Sequence, residues 1–332
     1  MAKDYPRFIG RLCGCKNVLI TTHVRPDGDA IGTVAALSLA LRGKGIPSAI
    51  VLLSSLPSKY RFILADAGLS HHEGNDGLPA GFNVDEFDGL LVADTGTWSQ
   101  LPGMQPVFEN WKRPKLVLDH HITQEEWADF KLVNTRAAAA AEVAAELFEI
   151  WGVEITRDIA TALYVALVSD TGWFQFSNTR PYTLRLAAKL MEAGVDTDRL
   201  NILLNQSERK QRVYLQTRAM HSLELLDNDT VAVMKVRRDD FLETGAGVPA
   251  TENLVNVPLQ IATVEASLLF VESPEAGPVR VSLRSKGGVD CARFAQTLGG
   301  GGHARAAGVK VAMPLDRAVT TVVEAFRAFK IA

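Results

Sequence analysis

The sequence predicts an α/β protein in which a parallel sheet fills the first half and a helical linker leads to a smaller α/β domain. Three observations predict it. Over residues 1–195, short apolar and β-branched runs alternate with helical patterns, as they do in a parallel sheet covered by helices on both faces. Residues 196–226 turn polar and helical. Strand patterns then recur between turn-rich segments and helices over residues 227–332. A length of 332 residues, at about 150 residues per domain, also suits two domains.

Taken in order, residues 17–22 (NVLITT) form a continuous apolar run, expected of a strand buried on both faces. Residues 29–42 carry Ala, Leu and Val at helical spacing. Strands are expected at 47–54, 88–93 and 115–118. Residues 136–151 read as an amphipathic helix with Val143, Leu147 and Ile150 on one stripe, and 159–169 as another. The Ala-rich run 137–145 is broken by Glu142 and belongs to the first of these. In the second half, strands are expected at 230–236, 263–271 and 279–283, and helices at 290–298 and 315–330. No internal repeat is present.

Composition narrows the function. The net charge of −3 lacks the basic surplus that grips long nucleic acid through many phosphates, which argues against a long-duplex binder. It does not argue against a small phosphorylated substrate, because bound metal ions can supply positive charge locally. Cys13, Cys15 and Cys291 are too few for a disulfide framework and badly spaced for zinc, which points to free thiols in a reducing cytoplasm. Residues 1–11 are charged and unlike a signal peptide. No run reaches the ~18 apolar residues of a membrane helix. A cytoplasmic protein without membrane contact is expected.

The acids fall where an open α/β sheet binds ligands, outside the carboxyl ends of its strands. The first strand leads into His23-Val-Arg-Pro-Asp27-Gly-Asp29. The third leads into Asp94-Thr-Gly, and the fourth into Asp119-His120-His121. The helix ending at Ser169 leads into Asp170-Thr-Gly. Each alone has a structural explanation: a turn and helix cap for Asp27 and Asp29, an Asx turn for Asp94, a surface pair for the histidines. Brought into one cleft, four carboxylates would repel one another, and a pair of divalent cations is the simplest remedy. Mixed carboxylates and imidazoles suit manganese, or magnesium as the harder ion. His23, Asp27, Asp29, Asp94, His120 and Asp170 would supply six protein ligands.

Two features of the second half belong with a phosphate. Gly299-Gly300-Gly301-Gly302-His303 permits close backbone approach and an anion-binding nest, or forms a flexible turn. Arg284-Ser285 ends a predicted strand, where the guanidinium could hold a phosphate bidentately or be solvated. Trp173 and Phe174 could stack a base or pack in a core.

Together these motifs resemble the DHH phosphoesterase superfamily, named for the tripeptide that stands here as Asp119-His120-His121. The match runs through His23-x-x-Pro26-Asp27-Gly28-Asp29-Ala30-Ile31-Gly32, Asp94-Thr95-Gly96 and Ser169-Asp170-Thr171-Gly172. The run from Gly299 to Gly308 resembles the signature of the associated DHHA1 domain. One departure is Thr33, where serine is expected and the hydroxyl survives. The layout is similar to the stand-alone nano-RNase members.

The resemblance implies a catalytic DHH domain at 1–195 and a substrate-binding DHHA1 domain at 227–332. It implies an exonuclease that degrades 5′-phosphorylated oligonucleotides of two to five nucleotides to 5′-mononucleotides. Some relatives also dephosphorylate 3′-phosphoadenosine-5′-phosphate or hydrolyse linear or cyclic dinucleotides. It implies two divalent metal ions, Mn2+ preferred and Mg2+ possible, on the six ligands above. Asp94 would bridge them, Asp119 would orient a histidine, and His121 would face the scissile phosphate. Arg284, Ser285, Gly300, Gly301, Gly302 and His303 would hold the substrate's terminal phosphate and set a length ruler. A homodimer is a further expectation. An inorganic pyrophosphatase with the same metal core is disfavoured by the Gly-rich loop, a RecJ-type long-strand exonuclease by length, and a non-catalytic nucleotide sensor by the intact ligand set.

Overall fold

The computed structural model describes residues 4–275 and 277–331. The chain forms two compact units that divide between Ser207 and Glu208.

The first unit is built on six parallel strands: β1 (Val18–Thr22), β2 (Ser48–Leu52), β3 (His71–Glu73), β4 (Gly89–Ala93), β5 (Lys115–Asp119) and β6 (Phe130–Val133). Their spatial order is β3-β2-β1-β4-β5-β6. The order reverses between β1 and β4, the switch point at which open α/β sheets form a crevice outside the carboxyl ends of the strands. Every residue of β1, β4 and β5 is buried, which is why the sequence shows continuous apolar runs there rather than alternation. The unit's helices are α1 (Tyr5–Cys13), α2 (Gly28–Gly43), α3 (Arg61–Asp66), α4 (Gln105–Phe108), α5 (Ala140–Trp151), α6 (Arg157–Asp170), α7 (Pro181–Glu192) and α8 (Thr197–Asn205).

Alternate strand residues feed two cores. Val18, Ile20, Ile50, Leu91 and Leu118 pack with α1, α2, α5 and α6. Leu19, Val51, Leu90, Val92 and Val117 pack against Phe87, Leu101, Met104 and Phe108. The second face is thus covered by loops, 3-10 turns and the short α4 rather than by a full helical layer. Helix α2 is buried from Gly28 to Leu41 and lies against α6. A Cβ at Gly32 would stand 2.3 Å from the Ala162 carbonyl oxygen, so glycine sets how closely these helices approach.

Two expectations are corrected. The helix read over 136–151 begins at Ala140, because Ala139 is extended (φ −155°, ψ 158°). Ile150 is 53% exposed and not part of a buried stripe; the helix is instead buried over Ala140–Ala144 and at Leu147 and Phe148. No local capping side chain marks the start of α5, so its N-terminus could not be placed from nearby residues.

The second unit contains α9 (Lys210–His221), β7 (Glu224–Leu226), β8 (Val231–Val236), α10 (Arg238–Thr244), β9 (Ala266–Val271), β10 (Val279–Ser285), α11 (Cys291–Thr297), β11 (Gly301–His303), β12 (Ala306–Val311) and α12 (Leu315–Ile331). Its mixed sheet has the order β11-β12-β10-β9-β8-β7, with β8 and β9 parallel. Val231, Val233, Leu268 and Phe270 face α11 and α12. Met234, Val236, Leu269 and Val271 face α9 and α10. The polar helical segment at 196–226 is divided: Leu200 of α8 joins the first unit's core, whereas Leu215 and Ala219 of α9 join the second's. No helix among the described residues is long and apolar enough to cross a membrane.

Candidate metal centre and phosphate site

The first unit gathers the four acidic clusters at the carboxyl end of its sheet. His23 follows β1. Asp27 caps α2, its Oδ1 accepting from the Ala30 N–H at 3.0 Å, and Asp29 lies in the first turn. Asp94 follows β4 with φ 62°. This left-handed conformation is rare for a non-glycine residue and tolerated best by Asp and Asn. Asp119 ends β5 and precedes His120 and His121; Asp170 ends α6.

Their side chains converge. His23 Nε2 lies 3.5 Å from Asp94 Oδ2 and 3.9 Å from Asp27 Oδ1. His120 Nε2 lies 3.4 Å from Asp94 Oδ1, 3.2 Å from Asp170 Oδ2 and 3.7 Å from Asp29 Oδ2. Three triads therefore offer ligand atoms close together: His23, Asp27 and Asp94; Asp29, His120 and Asp170; and Asp94, His120 and His121. Asp94 turns one oxygen toward each of the first two triads. Asp94 Oδ1 and His120 Nε2 are buried and lack a hydrogen-bond partner. Buried polar atoms are rarely left so, and these two point into the cluster. Carboxylate oxygens and imidazole nitrogens in this arrangement fit divalent cations.

Electrostatics agree. Burial, followed by the Asp94 and Asp170 charges, pushes the carboxyls of Asp27 and Asp29 up, Asp29 well above its ordinary value. Burial would raise Asp94 too, but His120 and His23 hold it down at about 2. Burial disfavours the imidazolium of His23, yet Asp94 and Asp27 raise it to about 9. For His120 burial is likewise overcome, by Asp170, Asp94 and Asp29, which raise it to about 12. Without a cation the cluster thus balances its carboxylates with protons.

A testable consequence concerns those protons. Both imidazoles are protonated near neutral pH in the metal-free protein, and an imidazole must shed that proton to act as a ligand. Manganese uptake should release protons, and its affinity should rise with pH. For His23 the folded pKa of about 9 exceeds the ordinary 6.5. Its contribution to metal-free stability is therefore full below the unfolded value and lost as pH climbs through the folded one. Calorimetric titration with Mn2+ in two buffers of different ionisation heat should give different apparent enthalpies. Identical enthalpies would contradict proton release.

Asp119 is fully buried and directs the two histidines. Its Oδ1 accepts from the backbone N–H groups of His120 at 2.7 Å and His121 at 3.2 Å and lies 2.8 Å from His121 Nδ1; Oδ2 accepts from Gln124 Nε2. The Asp119 bond, before any other cause, raises the His121 pKa. His121 is 53% exposed. With Nδ1 taken by Asp119, its Nε2 is the ring atom available to a substrate.

Several contributors were not foreseen. Thr33 Oγ1 donates to Asp29 Oδ1 at 3.0 Å, so the hydroxyl at this departure from the motif has a partner. Gln124, Glu142 and Asn178 also hold the site, but single polar residues carry no periodic signal. Gly172, Trp173 and Phe174 all have positive φ (53°, 56° and 65°) just after Asp170. Trp173 and Phe174 pack against the first unit's core, which matches the packing alternative.

The second unit places Arg284, Ser285 and the Gly-rich loop on neighbouring strands. Arg284 lies on β10, opposite Ala306 of β12, which in turn pairs with His303 of β11. Its guanidinium is partly buried, and that burial lowers its pKa. Nη1 donates to the Leu283 carbonyl at 2.9 Å, and among the described residues no carboxylate forms an ion pair with it. Ser285 Oγ accepts from the Gly287 and Val289 N–H groups at 2.9 and 3.3 Å, so it also shapes the following turn. Gly301, Gly302 and His303 form the exposed edge strand β11. A Cβ on Gly302 (φ 146°) or Gly300 would meet a β12 carbonyl oxygen at 2.4 or 2.3 Å.

Comparison with known proteins agrees with this architecture. The description of the DHH family, N-terminal domain, matches residues 17–167, and that of the DHHA1 domain matches residues 228–329. The chain is 34% identical over 317 residues to the bifunctional oligoribonuclease and PAP phosphatase NrnA of Thermus thermophilus, covering 93% of this chain and 89% of that protein. The protein of the same description from Bacillus subtilis is 26% identical over 308 residues, with 89% of each covered. Among solved structures, an exopolyphosphatase-related protein from Bacteroides fragilis superposes with a TM-score of 0.88 at 20% identity, covering 98% of this chain and 96% of that one. RecJ from Thermus thermophilus in complex with Mn2+ gives 0.57 at 12% identity, covering 98% of this chain and 54% of RecJ. From its motifs and sheet topology to its full-length relatives, the chain belongs to the DHH family, with an N-terminal DHH domain followed by a DHHA1 domain.

Proposed function

We propose that this chain hydrolyses short 5′-phosphorylated oligonucleotides to 5′-mononucleotides, using two divalent cations, with manganese preferred and magnesium usable. As a DHH-family member the chain is a hydrolase; the ion number, the ion and the substrate are the finer reading. The observation that carries it is Asp94, whose two oxygens face two separate triads while Oδ1 and the nearby His120 Nε2 lack partners. A carboxylate so placed suits a bridge between two ions.

In this reading His23, Asp27 and Asp94 would hold one cation, and Asp29, Asp94, His120 and Asp170 would hold the other. When bound, the cations supply Lewis acidity at the phosphoryl oxygens and favour ionisation of a nucleophilic water. The chain's own residues do the rest. Asp119 fixes His121 through Nδ1, leaving Nε2 to donate to a phosphoryl oxygen as negative charge builds there. Arg284, with His303 and the Gly300–Gly302 backbone, receives the terminal phosphate, Ser285 shaping the turn beside it. The names of the Thermus and Bacillus relatives support both this substrate class and 3′-phosphoadenosine-5′-phosphate as a second substrate.

The test is a product time course with Mn2+ on 5′-phosphorylated RNA of two to twenty-four nucleotides, alongside 3′-phosphoadenosine-5′-phosphate and pyrophosphate. Rapid loss of the shortest RNAs with accumulation of 5′-mononucleotides is expected. Turnover of pyrophosphate alone would overturn the substrate assignment while leaving a metal-dependent hydrolase.

A further inference from the structure

The five consecutive alanines Ala137–Ala141 carry no side-chain chemistry, yet their backbone touches two of the six candidate ligand residues and is linked to a third through Asn178. The Ala137 carbonyl lies 3.3 Å from His120 Nδ1. The N–H groups of Ala140 and Ala141 donate to Asp29 Oδ2 at 2.5 Å and Oδ1 at 3.2 Å. The Ala138 carbonyl accepts from Asn178 Nδ2 at 3.1 Å, and the same Nδ2 donates to the backbone carbonyl of Asp170 at 3.0 Å. All five alanines are buried. We infer that this tract is a positioning hub for the metal centre, and that Asn178 is the positioning residue that ties Asp170 to it. The inference rests on the metal-centre reading above.

Backbone groups suit the task because N–H and C=O positions are fixed once the chain path is fixed, whatever the side-chain rotamers. A run of alanines lets that path lie fully buried beneath the site without filling it. Asp29 places its carboxylate at the N-terminus of α5, where free N–H groups and the helix dipole favour an anion. His120, with Nδ1 directed at a carbonyl, presents Nε2 to Asp94 and Asp170, as metal-binding histidines are commonly oriented through their other ring nitrogen. The tract has its own anchor. Glu142, fully buried, accepts from the Ala138 N–H at 3.2 Å, and also from Arg180 Nη2 and Thr183 Oγ1.

Asn178 is the sharpest place to test the hub because it contacts no candidate ligand side chain. Its amide nitrogen alone carries the link, since it faces two carbonyls and Oδ1 has no partner. Asn178→Asp is nearly isosteric but cannot donate, and Asn178→Ala removes the group without adding charge. The experiment is calorimetric titration of Mn2+ into the full-length wild type and both variants, with thermal melts of the metal-free proteins and steady-state kinetics at saturating Mn2+. The hub predicts Mn2+ affinity weakened about 10–100-fold, as for other outer partners of metal ligands. It also predicts kcat lowered, KM changed little, and the Asn178→Ala metal-free melt within a few degrees of wild type. A lowered melting temperature with unchanged Mn2+ affinity in both variants would make Asn178 merely structural and overturn the hub. A wild type that binds no Mn2+ would instead overturn the metal-centre reading, and the hub with it.

Discussion

Asp94→Asn should reduce Mn2+-supported hydrolysis by more than about 100-fold, exceeding the 10–100-fold usual for losing an outer partner of a metal ligand. The substitution is well suited to the question. Asp94 adopts φ 62°, and asparagine is among the few residues that share this conformation at little cost. The backbone kink after β4 should survive, so the loss would be chemical. An amide keeps the shape but offers one neutral oxygen and an NH2 where two anionic oxygens faced the two triads. The effect should persist at saturating Mn2+, because a bridging role cannot be restored by mass action alone. Circular dichroism and a thermal melt would show that the fold is retained. Intact turnover at saturating Mn2+ would remove Asp94 from the centre, and the two-ion arrangement with it.

Much of this site was legible because strand ends and candidate metal ligands share one signal. Buried parallel strands are largely apolar runs, and the polar residues at their carboxyl ends are His23 after β1, Asp94 after β4, and Asp119 closing β5 ahead of His120 and His121. The run breaks where the chain emerges at the sheet's carboxyl edge, so fold and site are read from the same pattern. The supporting layer was not legible. Ala137–Ala141 reads as helix by propensity, but Asp29 and Glu142, which engage its backbone, hold it extended at Ala139 and start α5 at Ala140. Helix propensity cannot register a cap that comes from Asp29, more than a hundred positions away. Nor does an alternation of strand and helix reveal that one face of the first sheet is covered mainly by loops. The helical segment at 196–226 shows a similar limit. Its overall polarity suggested a linker, while a few buried residues, Leu200 on one side and Leu215 and Ala219 on the other, assign its two helices to different cores.

Arg284→Ala should lower kcat/KM on a 5′-phosphorylated dinucleotide by about 30-fold or more, the equivalent of ~2 kcal/mol for a charged group lost from a buried ionic contact. Most of this should appear in KM, since a contact to a non-reacting phosphate binds ground state and transition state alike. Arg284→Lys should fall between, retaining the charge without the bidentate fork. The same dinucleotide without its 5′-phosphate is the control, and all three proteins should treat it within about threefold of one another. The environment of Arg284 supports this separation. Its guanidinium is partly buried, its charge is disfavoured there, and among the described residues no carboxylate forms an ion pair with it. A cation kept in such a place lowers stability unless an anion arrives. The alanine variant, free of that cost, should melt no lower than wild type in the absence of substrate. An equal loss on both dinucleotides, or a variant that simply unfolds earlier, would show that Arg284 supports the sheet rather than reading a phosphate. A phosphate-specific loss in a protein of undiminished stability would assign the second unit its ligand.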